Sequence, residues 1–364
     1  MYDVLKLNKI SEKINAVFDG KYNLTDISEN PTGILVRSAN MAEYEVKDNL
    51  VAVARAGAGV NNIPCKDMAA KGVVVFNTPG ANANAVKELV ILAMLLASRD
   101  IIGGNKWVNS LTENVAKATE KGKSAFAGGE IKGKTLAIIG LGAIGRLVAE
   151  SATALGMKVV GYDPFVTENV KKSLEGKAEI CDFDTAIKKA DIVTLHVPLT
   201  DGTKNMINAK VIAEMKDGAI IINMARGGLV NVDDLKEGIA QGKIAKYVVD
   251  FPDESTINSE NIIAIPHLGA STEEAEDNCA VMAGEELVDY IENGNITNSV
   301  NYPALKKERT GKVRTCVLFD AAMKDKIDAI EGDKACAVKG DYGYAIIDGD
   351  KAVTVDGAIK VRTI

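Results

Sequence analysis

Short runs of consecutive apolar residues alternate along most of the chain with segments in which apolar residues recur at helical spacing. Continuous apolar runs are typical of strands buried on both faces of a parallel sheet, and the longer period is typical of the helices that cover it. The pattern therefore predicts two doubly wound α/β blocks. The predicted strands span residues 33–36, 50–54 and 73–76 in the first block, and 135–139, 158–162, 192–197, 219–223, 245–250 and 262–265 in the second.

Helix signals fill the intervals between these runs. Residues 41–47 and 64–71 are predicted helices of the first block, and a strongly apolar helix over 84–98 joins the two blocks. In the second block a helix opens at Ala143. Such alternation of strand and helix is what a parallel sheet requires, because parallel neighbours need a crossover connection.

The pattern changes after the second block. A capping box at residues 271–274 opens a long helix that runs to Gly294. From about Ala304 the strand-like runs are separated by only one convincing helical stretch, which predicts a small α+β module. Its predicted strands are 312–319, 334–339, 343–348 and 358–363, and its predicted helix is 321–330.

Glycines form the pattern GxGxxG between a predicted strand and a predicted helix, and Asp163 ends the next strand. This is the dinucleotide-binding fingerprint of Rossmann-like domains. Gly140 makes the tight turn, Gly142 lets backbone N–H groups approach a pyrophosphate, and Gly145 allows close packing of helix on strand. Asp163 would accept hydrogen bonds from the adenosine ribose hydroxyls and repel a 2′-phosphate, so the predicted cofactor is NAD.

Composition narrows the classes of function that fit. The 364 residues suffice for two domains and an appendage, and the net charge of −7 argues against a nucleic acid or an anionic membrane as partner. The five cysteines are scattered, without the spacing of a zinc site or a disulfide framework, so no metal is expected. No segment has the pattern of a signal peptide or a membrane span. We therefore expect a soluble, cytoplasmic protein.

Polar side chains follow several strands of the second block where each strand ends. Because ligands bind outside the carboxyl ends of parallel strands, these side chains are candidates for a site. One arginine, one acid and one histidine can meet there, whereas His196 is expected to shape the cofactor crevice. The candidates are Arg226, the acids Asp250, Asp253 and Glu254, and the chain's two histidines, His196 and His267.

This combination suits the oxidation of a 2-hydroxy acid. The planar fork of Arg226 can bind a substrate carboxylate, and His267 can take the hydroxyl proton and return it in the reverse direction. A carboxylate behind the histidine would orient the ring and raise its pKa. Each group also has a structural interpretation, as a surface ion pair, a solvated loop acid or a structural histidine.

Several motifs resemble those of the D-isomer-specific 2-hydroxyacid dehydrogenases, over residues 30 to 303. Three segments of the first block resemble in particular the phosphoglycerate dehydrogenases of that family: Val36-Arg37-Ser38, the run from Arg55 to Asn62, and the run from Phe76 to Gly80. The remaining motifs are the fingerprint with Asp163, His196-Val197-Pro198, the run from Asn223 to Gly228, Val249-Asp250-Phe251-Pro252, and the run from Pro266 to Thr272.

The resemblance implies a division of the chain and a set of site residues. Residues 1–98 and the returning helix 268–303 would form the substrate domain, residues 99–267 the NAD-binding domain, and the active cleft would lie between the two. Arg226, Glu254 and His267 would be the catalytic trio. The cofactor would be bound by Gly140, Gly142, Ala143, Ile144, Gly145, Asp163, His196, Val197, Pro198, Met224, Ala225, Arg226, Asp250, His267, Leu268, Gly269 and Ala270.

The segment after Asp250 departs from the family pattern. The family usually places the acid after Asp-Val-Phe-x-x and follows it with proline, whereas here the segment is one residue shorter and lacks that proline. Glu254 is preferred over Asp253 because its longer side chain better spans the gap to His267. Asp253 stays the alternative.

Arg37, Arg55, Gly57 and Ala58 are the expected substrate-binding residues. The two arginines favour a phosphorylated substrate, although either could be a structural ion pair. The resemblance then implies NAD-dependent oxidation of 3-phospho-D-glycerate to 3-phosphohydroxypyruvate, the entry to serine biosynthesis, by a homo-oligomer (dimer or tetramer). The alternatives are a glyoxylate or hydroxypyruvate reductase, another D-2-hydroxyacid dehydrogenase, or a non-catalytic NAD-sensing scaffold like the family's corepressor relatives.

Residues 304–364 resemble a shortened ACT module, the βαββαβ regulatory unit that binds serine between subunits in phosphoglycerate dehydrogenases. The second helix has little room between residues 351 and 357, and the entry to the first helix lacks the usual Asn-x-Pro-Gly-type loop. We therefore expect a regulatory or oligomerisation module whose effector site is reduced.

Overall fold

The computed structural model describes residues 1–364, which form two compact units. Unit 1 comprises Met1–Asn82 and Glu273–Ile364, and unit 2 comprises Ala83–Thr272. Each unit holds a parallel sheet covered by helices, so the prediction of two Rossmann-like α/β domains with a small C-terminal module is confirmed. None of the helices combines the length and the apolar character that crossing a membrane requires.

The first sheet of unit 1 contains five parallel strands. The elements of this part, in chain order, are β1 (Tyr2–Lys6), β2 (Tyr22–Thr25), β3 (Gly33–Val36), β4 (Ala52–Arg55), α1 (Cys65–Ala70) and β5 (Val74–Asn77). The strands lie in the order β2-β1-β3-β4-β5. The order therefore reverses between β1 and β3, which puts a topological switch point at the carboxyl ends of those two strands.

Two features of this sheet differ from the sequence pattern. β1 and β2 were not predicted, because polar residues interrupt their short apolar runs. The predicted helix over 41–47 is a turn instead. The N–H of Met41 donates to the carbonyl of Asn62 (2.8 Å), and the N–H of Tyr44 donates to the carbonyl of Met41 (3.0 Å). Met41 is fully buried, so its tertiary contacts override the local helical pattern.

The sheet of unit 2 contains seven parallel strands in the order β12-β11-β10-β9-β6-β7-β8. Its elements are α2 (Ala83–Ser98), α3 (Ile101–Ser110), α4 (Val115–Gly122), β6 (Thr135–Ile139), α5 (Ala143–Ala154), β7 (Lys158–Tyr162), α6 (Glu168–Ser173), β8 (Glu179–Ile180), α7 (Phe183–Lys189), β9 (Ile192–Leu195), α8 (Ala209–Glu214), β10 (Ala219–Asn223), α9 (Val232–Ala240), β11 (Ile244–Val249) and β12 (Ile262–Ala264). The order reverses between β6 and β9. The crevice at their carboxyl ends is therefore the place where a doubly wound sheet binds a dinucleotide.

The helix α2 lies in unit 2, whereas the resemblance placed the domain boundary after residue 98. Val90 and Met94 on this helix are fully buried in one core with Ile138 of β6 and Val148 of α5. Because this apolar face covers the second sheet, the compact unit begins at the first residue of the helix.

The C-terminal part of unit 1 starts with a long helix and ends in an antiparallel sheet of order β14-β15-β13-β16. Its elements are α10 (Glu273–Asn293), β13 (Val313–Asp320), α11 (Lys324–Asp328), β14 (Asp333–Lys339), β15 (Tyr342–Gly349) and β16 (Lys360–Thr363). No helix lies between β15 and β16. The module therefore has the expected βαββ order and lacks its second helix.

The module is attached to the C-terminal end of α10. The last carbonyls of a helix have no partner within the helix and need donors from elsewhere. Three side chains of the module supply them: Arg362 donates to the carbonyls of Tyr290 and Ile291, Arg314 to that of Asn293, and Tyr344 to that of Gly294. The helix and the sheet are thereby joined by polar as well as apolar contacts.

Replacing Tyr344 with Phe should destabilise the protein, because it leaves the carbonyl of Gly294 without a donor beside a fully buried ring. The expected loss is on the order of 1–3 kcal/mol, measured by urea denaturation. Tyr342→Phe is the matched control, since that hydroxyl makes no hydrogen bond and its ring packs on Tyr302. Equal losses in the two variants would show that the bond to α10 contributes nothing.

Candidate active site

The glycine turn between β6 and α5 is shaped by close backbone contacts. Gly140 has a φ of 99°, and a Cβ at this position would overlap the carbonyl of His196. A Cβ at Gly145 would overlap the carbonyl of Gly140. At Gly142, in contrast, a Cβ would meet no atom within 4 Å. Two glycines thus close the turn, and the third leaves open space at the N-terminus of α5, where a pyrophosphate fits.

Asp163 directly follows β7 and faces this turn. Its Oδ2 accepts a hydrogen bond from the N–H of Leu141 (2.9 Å), and its Oδ1 accepts one from the N–H of Phe165 (2.8 Å). A carboxylate has about four acceptor positions, so both oxygens keep capacity for ribose hydroxyls. The carboxylate therefore fixes the turn and leaves its negative charge at the place expected to discriminate against a 2′-phosphate.

His196 follows β9 on the other side of the switch point. Its Nε2 lies 3.0 Å from Oγ1 of Thr194, and its Nδ1 is shielded from solvent without a partner. Burial lowers the pKa of His196 to about 4, so the imidazole stays neutral at neutral pH. Thr194 was not predicted as a site residue. The signal for it was its spacing, because residues two apart on a strand share one face.

Asp250 follows β11 and is fully buried. Neither of its carboxylate oxygens has a hydrogen-bond partner. Desolvation raises the pKa of Asp250 to about 6, although the charge of Arg226 acts in the opposite direction. A buried carboxylate without donors is rare in a native protein and indicates a place for a donor group from a ligand. The amide of a nicotinamide ring is such a group, so this residue fits the predicted cofactor.

Arg226 lies in the loop after β10, and buried Asn223 fixes that loop. The Oδ1 of Asn223 accepts the N–H groups of Ala225 (3.2 Å) and Arg226 (3.3 Å), and its Nδ2 donates to the carbonyl of Arg226 (2.8 Å). The guanidinium is exposed and donates to the carbonyl of Ala225 (2.6 Å). It makes no ion pair in the structure, so most of its N–H groups are available for an anion.

His267 follows β12 and stacks on Phe251, with 4.4 Å between the ring centroids. No carboxylate contacts its ring. The carboxylate of Asp253 accepts hydrogen bonds from Ser255 and Thr256 instead. Glu254 is exposed and makes no hydrogen bond. The pKa of His267 is lowered by burial and by the charge of Arg226, so the raised pKa expected from a carboxylate partner is not found here.

The structure brings the predicted residues of unit 2 to the carboxyl edge of one sheet. They lie in the loops after β6, β7, β9, β10, β11 and β12, as a doubly wound sheet requires. Phe251 joins them as a second residue that was not predicted. Two further predicted residues, Ala143 and Ile144, open α5 directly after the glycine turn. The other predicted residues in these loops include Val197 and Pro198 after β9, Met224 and Ala225 after β10, and Leu268, Gly269 and Ala270 after β12.

The predicted substrate residues lie in unit 1: Arg37 follows β3, Arg55 is the last residue of β4, and Gly57 and Ala58 lie in the loop after β4. Nη1 of Arg37 lies 2.6 Å from Oε2 of Glu276 on α10, and this contact lowers the pKa of Glu276. Nε of Arg55 donates to the carbonyl of Arg37 (3.1 Å) and to Oδ1 of Asn62 (3.2 Å). Both arginines thus have protein partners, which is the structural interpretation that the sequence left open beside phosphate binding.

The loop that holds Gly57 and Ala58 is held in place by its neighbours. Nδ2 of Asn77 donates to the carbonyl of Ala58 (2.5 Å). Gly57 has a φ of 152°, and a Cβ there would overlap the guanidinium of Arg55. A side chain at Gly57 would therefore displace that arginine. No group of three or more His, Cys, Asp or Glu side chains is arranged to hold a metal ion.

Residues 91–269 match the model of the D-isomer specific 2-hydroxyacid dehydrogenase, NAD binding domain. The prediction of NAD as the cofactor is thereby confirmed. The D-3-phosphoglycerate dehydrogenase of Methanocaldococcus jannaschii is 35% identical over 327 residues, which are 87% of this chain and 61% of that relative. The chain thus spans less than two thirds of this relative's length.

The chain is also similar to two further proteins. The hydroxypyruvate reductase of Thermotoga maritima is 37% identical over 299 residues, which are 79% of this chain and 92% of that protein. The crystal structure of D-lactate dehydrogenase with NAD+ from Lactobacillus jensenii superposes with a TM-score of 0.63 at 25% identity, and covers 82% of this chain and 99% of that one.

Replacing Asp163 with Ser should narrow the preference for NAD over NADP, because it removes the negative charge that would lie against a 2′-phosphate. We expect the ratio of the two dissociation constants, measured by NADH and NADPH fluorescence, to shift on the order of 10-fold, equivalent to ~1.4 kcal/mol. Asp184→Ser, a change at an exposed acid on α7, is the control. Equal affinity of the wild-type protein for both cofactors would contradict the assignment of Asp163.

Proposed function

The chain belongs to the D-isomer-specific 2-hydroxyacid dehydrogenase family, and from that premise we propose that it is an NAD-dependent enzyme that oxidises 3-phospho-D-glycerate to 3-phosphohydroxypyruvate, the first step of serine biosynthesis. The observation that carries this proposal is the grouping of Arg226, Asp250 and His267 at the carboxyl edge of the NAD-binding sheet. The choice of substrate is supported by the relative from M. jannaschii and by the two arginines at the carboxyl ends of β3 and β4.

The proposed chemistry divides between an anion-binding fork and an acid–base group. The guanidinium of Arg226 binds the carboxylate of the 2-hydroxy acid and polarises the neighbouring C–O bond. The neutral imidazole of His267 removes the hydroxyl proton, and the imidazolium returns it in the reverse direction. Bound NAD would supply the hydride acceptor. Asp250 would hold the nicotinamide side of the cofactor, because its buried carboxylate oxygens have no protein donor and can accept from the amide.

Glu254 is the proposed partner of His267 in the reacting complex. The structure leaves its carboxylate exposed and without hydrogen bonds, whereas the carboxylate of Asp253 closes a turn with Ser255 and Thr256. These bonds all fall on Oδ1 of Asp253 and fix its carboxylate in the turn, whereas no hydrogen bond constrains the side chain of Glu254. Of the two acids, Glu254 is therefore the one that is freer to reach the imidazole.

A hydroxypyruvate reductase is the second candidate. The relative from T. maritima carries that name, and this chain covers nearly all of its length. The ion pair between Arg37 and Glu276 also favours this candidate, whose substrate carries no phosphate. The pair places a carboxylate beside the guanidinium that would otherwise bind a phosphate. In this case the reaction would run as the reduction of a 2-keto acid at the same Arg226 and His267.

We also propose that the protein is a homo-oligomer, for which the surface of unit 2 gives support. The helices α3 and α4 contain no buried residue, and apolar side chains on α2, α3 and α4 are exposed. These side chains are Leu92, Leu95, Ile101, Ile102, Val108 and Val115. Exposed apolar side chains concentrated on three consecutive helices favour a protein contact there. A monomer in sedimentation at micromolar concentration would contradict this proposal.

All five cysteines are unpaired, which supports a reducing cytoplasm as the location.

A panel of 2-hydroxy and 2-keto acids with and without phosphate, followed by NADH absorbance, tests the proposed reaction. Arg37→Ala should raise KM for 3-phosphoglycerate far more than for glycerate, because a guanidinium–phosphate contact exists only with the former. Losing a charged hydrogen bond costs on the order of 1.5–3 kcal/mol. Glu276→Gln is the control, since it removes the ion pair and keeps the arginine. Equal losses on both substrates in Arg37→Ala would make Arg37 a structural residue.

The pH dependence of oxidation should report His267. In the free protein its pKa lies below the ordinary 6.5, so the base form prevails at neutral pH. The kcat/KM of oxidation, which reports the free protein, should therefore show a low-pH limb, a fall in rate that begins only as the pH drops below about 6.5. The reverse reaction, reduction, needs the imidazolium, so its rate should rise over the same pH range. His267→Gln should lower the maximal rate about 100-fold and remove this limb. NAD affinity should change little.

The role of Glu254 is tested by the pH profile of kcat, which reports the complex with substrate. Glu254→Gln should move the low-pH limb of that profile to lower pH, because the imidazolium loses the anionic partner proposed for the complex. Asp253→Asn is the control: it should leave the limb in place and lower the melting temperature, because it weakens the turn with Thr256. A limb that moves in Asp253→Asn alone would transfer the role to Asp253.

A further inference from the structure

Phe251 lies between the two groups to which the proposed chemistry is assigned. Its ring centroid is 4.4 Å from that of His267, with an interplanar angle of 43°. On the side of β10, the central carbon of the Arg226 guanidinium is 5.9 Å from the same phenyl ring, within the range of a cation–π contact. A single aromatic ring therefore contacts both the anion-binding fork and the imidazole.

The imidazole of His267 has no other specific partner. It makes no hydrogen bond and no ion pair, and the only charge that acts on its pKa is that of Arg226. Its side chain is exposed, and it follows the short strand β12 at the edge of the sheet. The orientation of a ring in such a place has to come from packing, and the phenyl ring is what it packs on.

Phe251 itself is anchored. It directly follows fully buried Asp250 and is packed against the core that also contains Leu229 and Val249. A Cβ on Gly227 would lie 3.6 Å from Cβ of Phe251, so the loop after β10 passes close beside it. The phenyl ring is thus packed on the core at the edge of the sheet.

The shortness of the segment after β11 determines where Phe251 lies. Neither acid of that segment makes an ion pair with His267: Asp253 closes its own turn, and Glu254 is exposed. The first residue after the strand-end acid is therefore the one that reaches both neighbouring loops. In a segment with one more residue before the aromatic ring, the ring would be displaced along the chain from this point.

From this geometry we infer that Phe251 is a positioning residue: its ring sets the orientation of His267 and the separation of His267 from Arg226. The inference rests on the proposed function as far as the reaction is concerned, but the stacking itself is independent of it. A misplacement of about 1 Å can cost on the order of 100-fold in rate, so the loss of this ring should be visible in turnover.

Because the chain has only two histidines, nuclear magnetic resonance can read the stacking without substrate or cofactor. In protein labelled at histidine, ring-current shielding should move the His267 ring protons upfield, and His267→Gln assigns that signal. Phe251→Leu keeps the apolar bulk and should abolish the upfield shift, whereas Phe251→Tyr should keep it. The His196 signal should stay unchanged in both variants and serves as the internal control.

Steady-state kinetics provide the second test of Phe251, with whichever 2-hydroxy acid the substrate panel identifies. Phe251→Leu should lower kcat/KM about 10- to 100-fold with unchanged NAD affinity, and Phe251→Tyr should restore most of it. A His267 signal that does not move in Phe251→Leu would overturn the inference, and so would a tyrosine variant as slow as the leucine variant. If wild-type protein oxidises no 2-hydroxy acid, the proposed function fails while the resonance result still decides the stacking.

Discussion

The close approach of β6 and β9 at the switch point is the constraint on which the NAD-binding unit depends. The N–H of His196 donates to the carbonyl of Ile139 (2.7 Å), so β9 stays paired with β6 to the last residue of β6. On the other side of β6, the N–H of Gly140 donates to the carbonyl of Tyr162 at the end of β7 (2.8 Å). Because Gly140 carries no Cβ, the carbonyl of His196 can come close, and the crevice between the loops begins there.

The central strands of both sheets were predictable because they are buried on both faces. The bounds of 33–36, 135–139, 158–162 and 219–223 agree with the structure residue by residue. The prediction of secondary structure failed for short strands at the edge of a sheet. It also failed where tertiary contacts override the local pattern of apolar residues. The edge strand β8 has only two residues, and β2 is an edge strand with polar residues in its run. Residues 41–47 carry a helical period, but the chain there is tied to Asn62.

For the site, the chemical types at the strand ends were predictable and their mutual contacts were not. The position of Arg226 follows from the strand before it, yet the hydrogen bonds of Asn223 that fix its loop depend on the turn. The segment after Asp250 shows the same limit. Its sequence offered two acids for His267, and only the structure shows that Asp253 is constrained by a turn of its own. The ring of Phe251 has no chemical signature in a sequence, so only its stacking indicates a role.

The C-terminal module illustrates how a resemblance and a structure constrain each other. Its strand order agrees with a shortened βαββαβ unit, but its side chains are committed to the rest of unit 1: Arg362, Arg314 and Tyr344 to the end of α10, and Lys360 to the carbonyls of Asp48 and Leu50. A ligand can shift an equilibrium only by its different affinity for two arrangements. A module that acted as a sensor would need a second set of donors for the carbonyls of α10, because leaving them unpaired costs free energy in the other state. The attachment supplies donors to the last carbonyls of α10, the long helix that carries Glu276.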